Sequence, residues 1–258
     1  MAVSTSTINS FAAVGTPMAV SEFNPFESTV HPKRTVGFKV EDLQGNVYRW
    51  GHFGAAVTQG KVVSQDISES SVVDSDDVIL APASCQNTDD GKIGSRFIEL
   101  TLASVTRNQY AGGKIVITDD TGKGYTYNIL GNTATGDPAT GTIRLELQHP
   151  LQVAVNATSD YCISGSRYGN LEGATATDFD VVGVTLASQD ANDYGWVGTK
   201  GCFNILTDSL TFAGKGINVG TVVGSVSGIN CATNDNVFGY CLAVGDDTGY
   251  APCVINCE

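Results

Sequence analysis

Val36, Phe38 and Val40 alternate with glycine and lysine, the turn Gln44-Gly45-Asn46 follows, and Val47, Tyr48 and Trp50 resume the apolar pattern. Alternation on both sides of a glycine turn predicts a β-hairpin. "GAAVTQGKVVSQDI" continues it with another glycine turn and a short strand over Lys61 to Ser64. The rhythm returns along most of the chain. Strands are predicted over Arg96 to Val105, Lys114 to Thr118, Gly124 to Leu130 and Thr142 to Leu147, then in "HPLQVAV" and "DYCISG". "DFDVVGVTLAS", "DYGWVGTKGCFNIL", "INVGTVVGSVSGIN", "VFGYCLAVG" and "YAPCVINC" form a last run, separated by Asp-, Asn- and Gly-rich turns. No long segment keeps the 3.6 period of an amphipathic helix. The expected fold class is all-β, a barrel or sandwich built from hairpins.

Two stretches break the rhythm. Residues 1–35 mix Ser, Thr and Ala with Pro17, Pro25 and Pro32, and close on Lys33-Arg34. They read as an extended arm, disordered or ordered only against a partner. Residues 65–92 read as a loop-rich connector around the apolar run Val78 to Leu80. Its Asp74, Asp76 and Asp77 resemble the opening of a calcium loop, but the glycine and bidentate Glu of an EF-hand are missing, so a solvated turn is expected.

Composition agrees with the pattern. Only 16% of the 258 residues are charged, glycine numbers 30, and Met and Trp number two each. Net charge is −13, and residues 171–258 carry two lysines against ten Asp and Glu. Such a surface repels polyanions, which excludes nucleic acid and an anionic membrane face as expected partners. The same acidity also serves simply to keep a β-rich protein soluble. No apolar run reaches the length of a membrane span. The N-terminus lacks the basic start and apolar core of a secretion signal, so synthesis and folding in a cytoplasm are expected.

Five of the seven cysteines (Cys202, Cys231, Cys241, Cys253, Cys257) fall near the C-terminus; Cys85 and Cys162 are the others. Only Cys253 and Cys257 approach the spacing of a zinc knuckle, and they sit in a predicted strand where 253, 255 and 257 share one face. Buried thiols acting as small apolar side chains are the expected state.

The loop "DDTGKGY" at 119–125 raises the question of a phosphate site. A P-loop needs a helix starting after its lysine, whereas Lys123 precedes Gly124 and the alternating "YTYNIL". A hairpin turn is expected. His31, His52 and His149 stand near no nucleophile motif, and "SGSRYG" lacks the spacing of a nucleophile elbow. Paired carboxylates fall in turns, where Asp bonds to backbone. The expectation is therefore no catalytic residues, no cofactor and no metal.

Several blocks carry a family resemblance. "GSRFIELTLASVTRNQYAGGKIVITDDTGKGYTYNILGNTA" (94–134) resembles a segment of structural proteins in tailed-bacteriophage virions, in which an "NQYA-G" step, a "DGTGEGY" type turn and a "Y-I-GN" strand recur in this order. "VVGVTLASQDANDYGWVGTKGCFNIL" (181–206) and "GNVYRWGHFGAAVTQGKVV" (45–63) resemble hairpins of phage head decoration proteins. The C-terminal cysteines depart from the usual pattern.

The resemblance implies a non-enzymatic capsid decoration, or cement, protein. It would sit on the outer capsid surface of the virion and bridge capsomers, with the major capsid protein and copies of itself (dimer or trimer) as partners. A tail or fibre component acting as host-surface adhesin is the alternative, and a virion-borne hydrolase a third reading. The order of the matching blocks suggests a domain inserted into a barrel: arm 1–35, first barrel part and connector 36–91, inserted β domain 92–167, remainder of the barrel 168–258. An arm of about 35 residues would reach roughly 115 Å fully extended, enough to tie neighbouring subunits together. The expected contact residues are Phe23, Phe26, Pro32, Lys33 and Arg34, with Trp50, Phe53, Tyr194 and Trp196 weighed as anchors and assigned to the core instead.

Overall fold

The computed structural model describes residues 23–66, 71–74, 79–137, 139–178, 180–208, 213–229, 237–246 and 248–258. Within them lie seventeen strands and one 3-10 turn at Pro82–Ser84. In chain order the strands are β1 (Ser28–Thr29), β2 (Lys39–Glu41), β3 (Val47–His52), β4 (Val62–Gln65), β5 (Ser71–Asp74) and β6 (Phe97–Thr101). There follow β7 (Lys114–Ile117), β8 (Thr126–Asn132), β9 (Thr142–Leu147), β10 (Tyr161–Ser164), β11 (Leu171–Gly173) and β12 (Val181–Thr185). The last are β13 (Tyr194–Leu206), β14 (Gly216–Val219), β15 (Val226–Gly228), β16 (Gly239–Cys241) and β17 (Tyr250–Asn256). The protein is all-β.

The chain divides into two compact units, one comprising Met1–Gln65 and Asn170–Glu258, the other Asp66–Gly169. In the first unit, hydrogen-bonded neighbours run β11-β4-β12-β13-β17-β16-β14-β15, and β1 and β3 also pair with β13 while β2 pairs with β3. Every ladder is antiparallel. β13 pairs through its first half with β3 and through Lys200–Leu206 with β17. The inward residues Val40, Trp50, Val62, Val184, Trp196, Ile205, Ile217, Cys241, Cys253 and Ile255 form one core. Gly198 leaves room for the Phe203 ring, from which a Cβ there would lie only 2.5 Å.

The second unit is a six-stranded sheet ordered β5-β10-β7-β8-β9-β6. Its separate core holds Ile79, Ile98, Leu100, Ile115, Ile117, Ile129, Ile143, Leu145, Tyr161 and Ile163. Each unit thus buries its own apolar face, as a β sheet must.

Three expectations need correction. The connector 65–92 is not part of the barrel: β5 pairs with β10, Ile79 bridges Leu100, and the boundary falls between Gln65 and Asp66 rather than at 92. Of the acidic cluster, Asp74 lies in β5, while Asp76 and Asp77 fall outside the described residues. "HPLQVAV" forms no strand. Pro150 has no N–H to give a ladder, and the segment pairs irregularly with the 91–95 loop, Leu151 N–H donating to Ser95 O (2.7 Å) and Val155 N–H to Gly91 O (2.9 Å). The apolar signal was burial alone, since Leu151 and Val155 are both in the core.

The reassigned connector is locked by charge. Asp90, 1% exposed, accepts from Arg144 Nε at 2.6 Å and Nη2 at 2.9 Å, and the guanidinium lies 3.8 Å over the Phe97 ring. Buried Glu99 accepts the backbone N–H of Gln86 (3.0 Å) and Asn87 (3.4 Å). Burial, with the Glu99 and Asp90 carboxylates beside it, pushes the Cys85 thiol up to about 11, so this cysteine acts as an inert apolar group. Removing one partner of a buried ion pair leaves the other charge uncompensated. Asp90→Asn is expected to lower the stability of the second unit by about 3 kcal/mol. Denaturant unfolding, with amide exchange in β9 as the local probe, checks this; an unchanged midpoint refutes it.

Candidate functional site

The described part of the N-terminal arm, residues 23–35, is not free. It packs on the first unit, which corrects the expectation of an arm ordered only against a partner. Three interactions hold it. β1 pairs with the start of β13, Ser28 opposite Gly195 and Thr29 opposite Tyr194. Ser28 Oγ donates to Asp193 Oδ2 at 2.9 Å. Gly37 N–H donates to Trp50 O (2.7 Å) and Trp50 N–H to Phe38 O (2.9 Å), joining its far end to β3. Residues 1–22 lie outside the described residues.

Beneath this strap lie both tryptophans of the chain. Trp50 and Trp196 are register partners on β3 and β13, fully buried, with rings 5.1 Å apart and edge to face. Phe23 adds its ring 5.0 Å from Trp196 and 5.1 Å from Tyr48. Arg34 lies 5.1 Å from the centroid of each tryptophan. Cation–π contacts strengthen when desolvated, and the Arg34 side chain is only 15% exposed. Among the described residues the two indole N–H groups meet no acceptor, so ring stacking and the guanidinium hold the pair.

Glu27 balances the cation. Its carboxylate accepts from Arg34 Nη1 at 3.1 Å and from Lys33 Nζ, and so closes the strap on itself. Burial opposes ionisation of Glu27, but Lys33 and Arg34 outweigh it and hold its pKa below the ordinary 4.5. His52, whose ring is 4.7 Å from Tyr194, has its pKa lowered from 6.5 by burial.

Alternation then decides which expected contact residues face out. Phe23 and Arg34 face the tryptophans and are structural. Lys33 and Pro32 are exposed, and Phe26 and Val30 are each 66% exposed. Val30 was missed by sequence reasoning, although its even spacing from Phe26 was a usable signal. A second surface was also missed. Tyr240, Leu242 and Val244 look outward around β16 and Tyr250 from β17, all between 46% and 59% exposed. On β16 only the Cys241 side is covered.

The loop after β7 is a turn with no anion cradle. Gly122 (φ 91°) and Gly124 (φ 86°) take the left-handed conformation that glycine adopts freely. Gly124 N–H donates to Ile117 O (2.9 Å), which closes the hairpin into β8. Lys123 is exposed and pairs with Asp119 at 2.6 Å, leaving carboxylates where a phosphate would sit. Among the described residues no three His, Cys, Asp or Glu side chains gather as metal ligands. His31 and His149 are exposed at separate loops.

No protein-family model, curated protein or solved structure matches the chain.

Glu27 in the strap and His52, set against Tyr194 of β13, respond to acid with the same sign. The unfolded chain protonates His52 first, so its contribution falls as pH drops below 6.5; that of Glu27 is complete above 4.5 and falls below it. Acid is therefore expected to destabilise the first unit in two stages, first around His52 and then at the strap as Glu27 is protonated. Tryptophan fluorescence reports it directly, because both indoles lie under the strap. A red shift on acidification, with Arg34→Ala already partly shifted at neutral pH, is the expected outcome; an emission maximum independent of pH and of Arg34 refutes it.

Proposed function

We propose that this chain is a non-enzymatic structural virion protein that binds the outer surface of a tailed-phage capsid and stabilises it by bridging capsomers. Its partners on this reading are the major capsid protein and further copies of itself, as dimer or trimer. The observation that carries the reading is the two-sided strap. Phe23, Glu27 and Arg34 fix it from within, and Phe26 and Val30 are thereby held outward as apolar contacts on a rigid support. Preorganised apolar side chains bind with little ordering cost, which suits attachment to a preassembled shell.

The sequence blocks support the same reading. The segments 45–63 and 181–206, which resemble decoration-protein hairpins, fall on β3–β4 and β12–β13 of the first unit. The segment 94–134 falls on β6 to β8 of the second. A net charge of −13 also leaves docking to apolar contacts rather than to attraction by an acidic surface.

Heads lacking the protein, incubated with purified chain and imaged, test the proposal. Regular occupancy of shell positions is expected. Phe26→Asp with Val30→Asp should weaken head binding at least about tenfold, with tryptophan emission unchanged as the control for folding. Binding to host cells with none to heads would replace this reading by the adhesin.

A further inference from the structure

Cys241 and Cys253 stand directly opposite each other on β16 and β17. The flanking bonds define the kind of position. Asn256 N–H donates to Phe238 O (2.9 Å) and Leu242 N–H to Pro252 O (2.8 Å). The hydrogen-bonded positions are therefore 238/256 and 242/252, and by alternation Cys241/Cys253 is a non-hydrogen-bonded position. Cα atoms there lie about 4.5 Å apart, with side chains at their closest. A disulfide spans Cα separations of roughly 4.4–6.8 Å, so the pair fits at the near limit without moving a strand. Both side chains are 0% exposed on the same core face. Cys202, the exposed neighbour on β13, pairs with Val254 of β17 and so belongs to the opposite face.

We propose that Cys241 and Cys253 are a redox pair that closes to a cross-strand disulfide in an oxidising medium and staples β16 to β17. The oxidant is a small disulfide of the glutathione class. One cysteine sulfur, as thiolate, displaces a glutathione thiolate and forms a mixed disulfide; the second cysteine displaces the remaining glutathione. One S–S bond is made and one broken, and two reduced glutathiones carry away the two electrons and two protons. Burial, with Cys241 and Cys202 nearby, pushes the Cys253 thiol up to about 12. Exchange therefore proceeds when β16, only three residues long, opens from its neighbour. The staple forms slowly and is slow to be reduced. It is independent of the capsid reading.

The native full chain is incubated with oxidised glutathione, alkylated, digested without reduction and mapped by mass spectrometry. The expected product is a peptide pair joined at Cys241–Cys253, lighter by two hydrogens and lost on reduction, appearing later than glutathione adducts at exposed Cys202. The oxidised chain should unfold a few degrees higher than the reduced one, and Cys253→Ala should abolish that rise. Complete alkylation of both cysteines in denaturant after the oxidation, or a linkage from either to a different cysteine, overturns the proposal. If Cys253→Ala fails to fold, the peptide map of the natural chain still decides.

Discussion

The first unit depends on a single constraint, the need of one thirteen-residue strand to have its backbone paired from end to end. Buried N–H and C=O groups must find partners, and no neighbour of β13 is long enough to supply them all. β3 serves its first half, β17 its second, β12 meets Val197 and Gly198, and β1 caps Tyr194 and Gly195. Segments from both ends of the sequence are thereby drawn to one element. The tryptophan pair follows from it, because the β3 register sets Trp50 directly against Trp196. So does the strap, whose β1 pairing places Arg34 and Phe23 within reach of those rings.

Charge serves the fold in two ways. Among the described residues, Arg34 and Arg144 each lie against aromatic rings and a shielded carboxylate. Aspartates in turns do the second kind of service. Asp42 accepts the N–H groups of Gln44 and Asn46, Asp178 that of Thr175, and Asp208 those of Thr221 and Val222. Part of the −13 charge thus reflects turn geometry in a protein rich in hairpins, and only the remainder bears on the choice of partner.

Legibility followed the range of the interaction. The hairpin over β2 and β3, the glycine turn after β7 and the limits of β9 depend on near neighbours, and alternation with turn residues located them. "HPLQVAV" shows the weakness of the same signal: burial at Leu151 and Val155 came from irregular pairing, not a strand. The connector failed for a different reason. Asp90 and Glu99 find Arg144 and the 86–87 amides only in the folded unit, and nothing local marks a carboxylate as buried. At the strap, the even spacing of Phe26 and Val30 was visible, but the inward role of Arg34 was not.

The sequence by itself therefore determined the all-β class, most hairpins, the acidity and the absence of an amphipathic helical period, because each arises from contacts a few residues apart. Tertiary structure alone decided that residues 23–35 fold back, that Asp66 opens the second unit, and that one side of "VFGYCLAVG" stays in solvent. It also set Cys241 against Cys253. These depend on pairing across long sequence separations, where register turns a difference of one residue into a choice between core and surface.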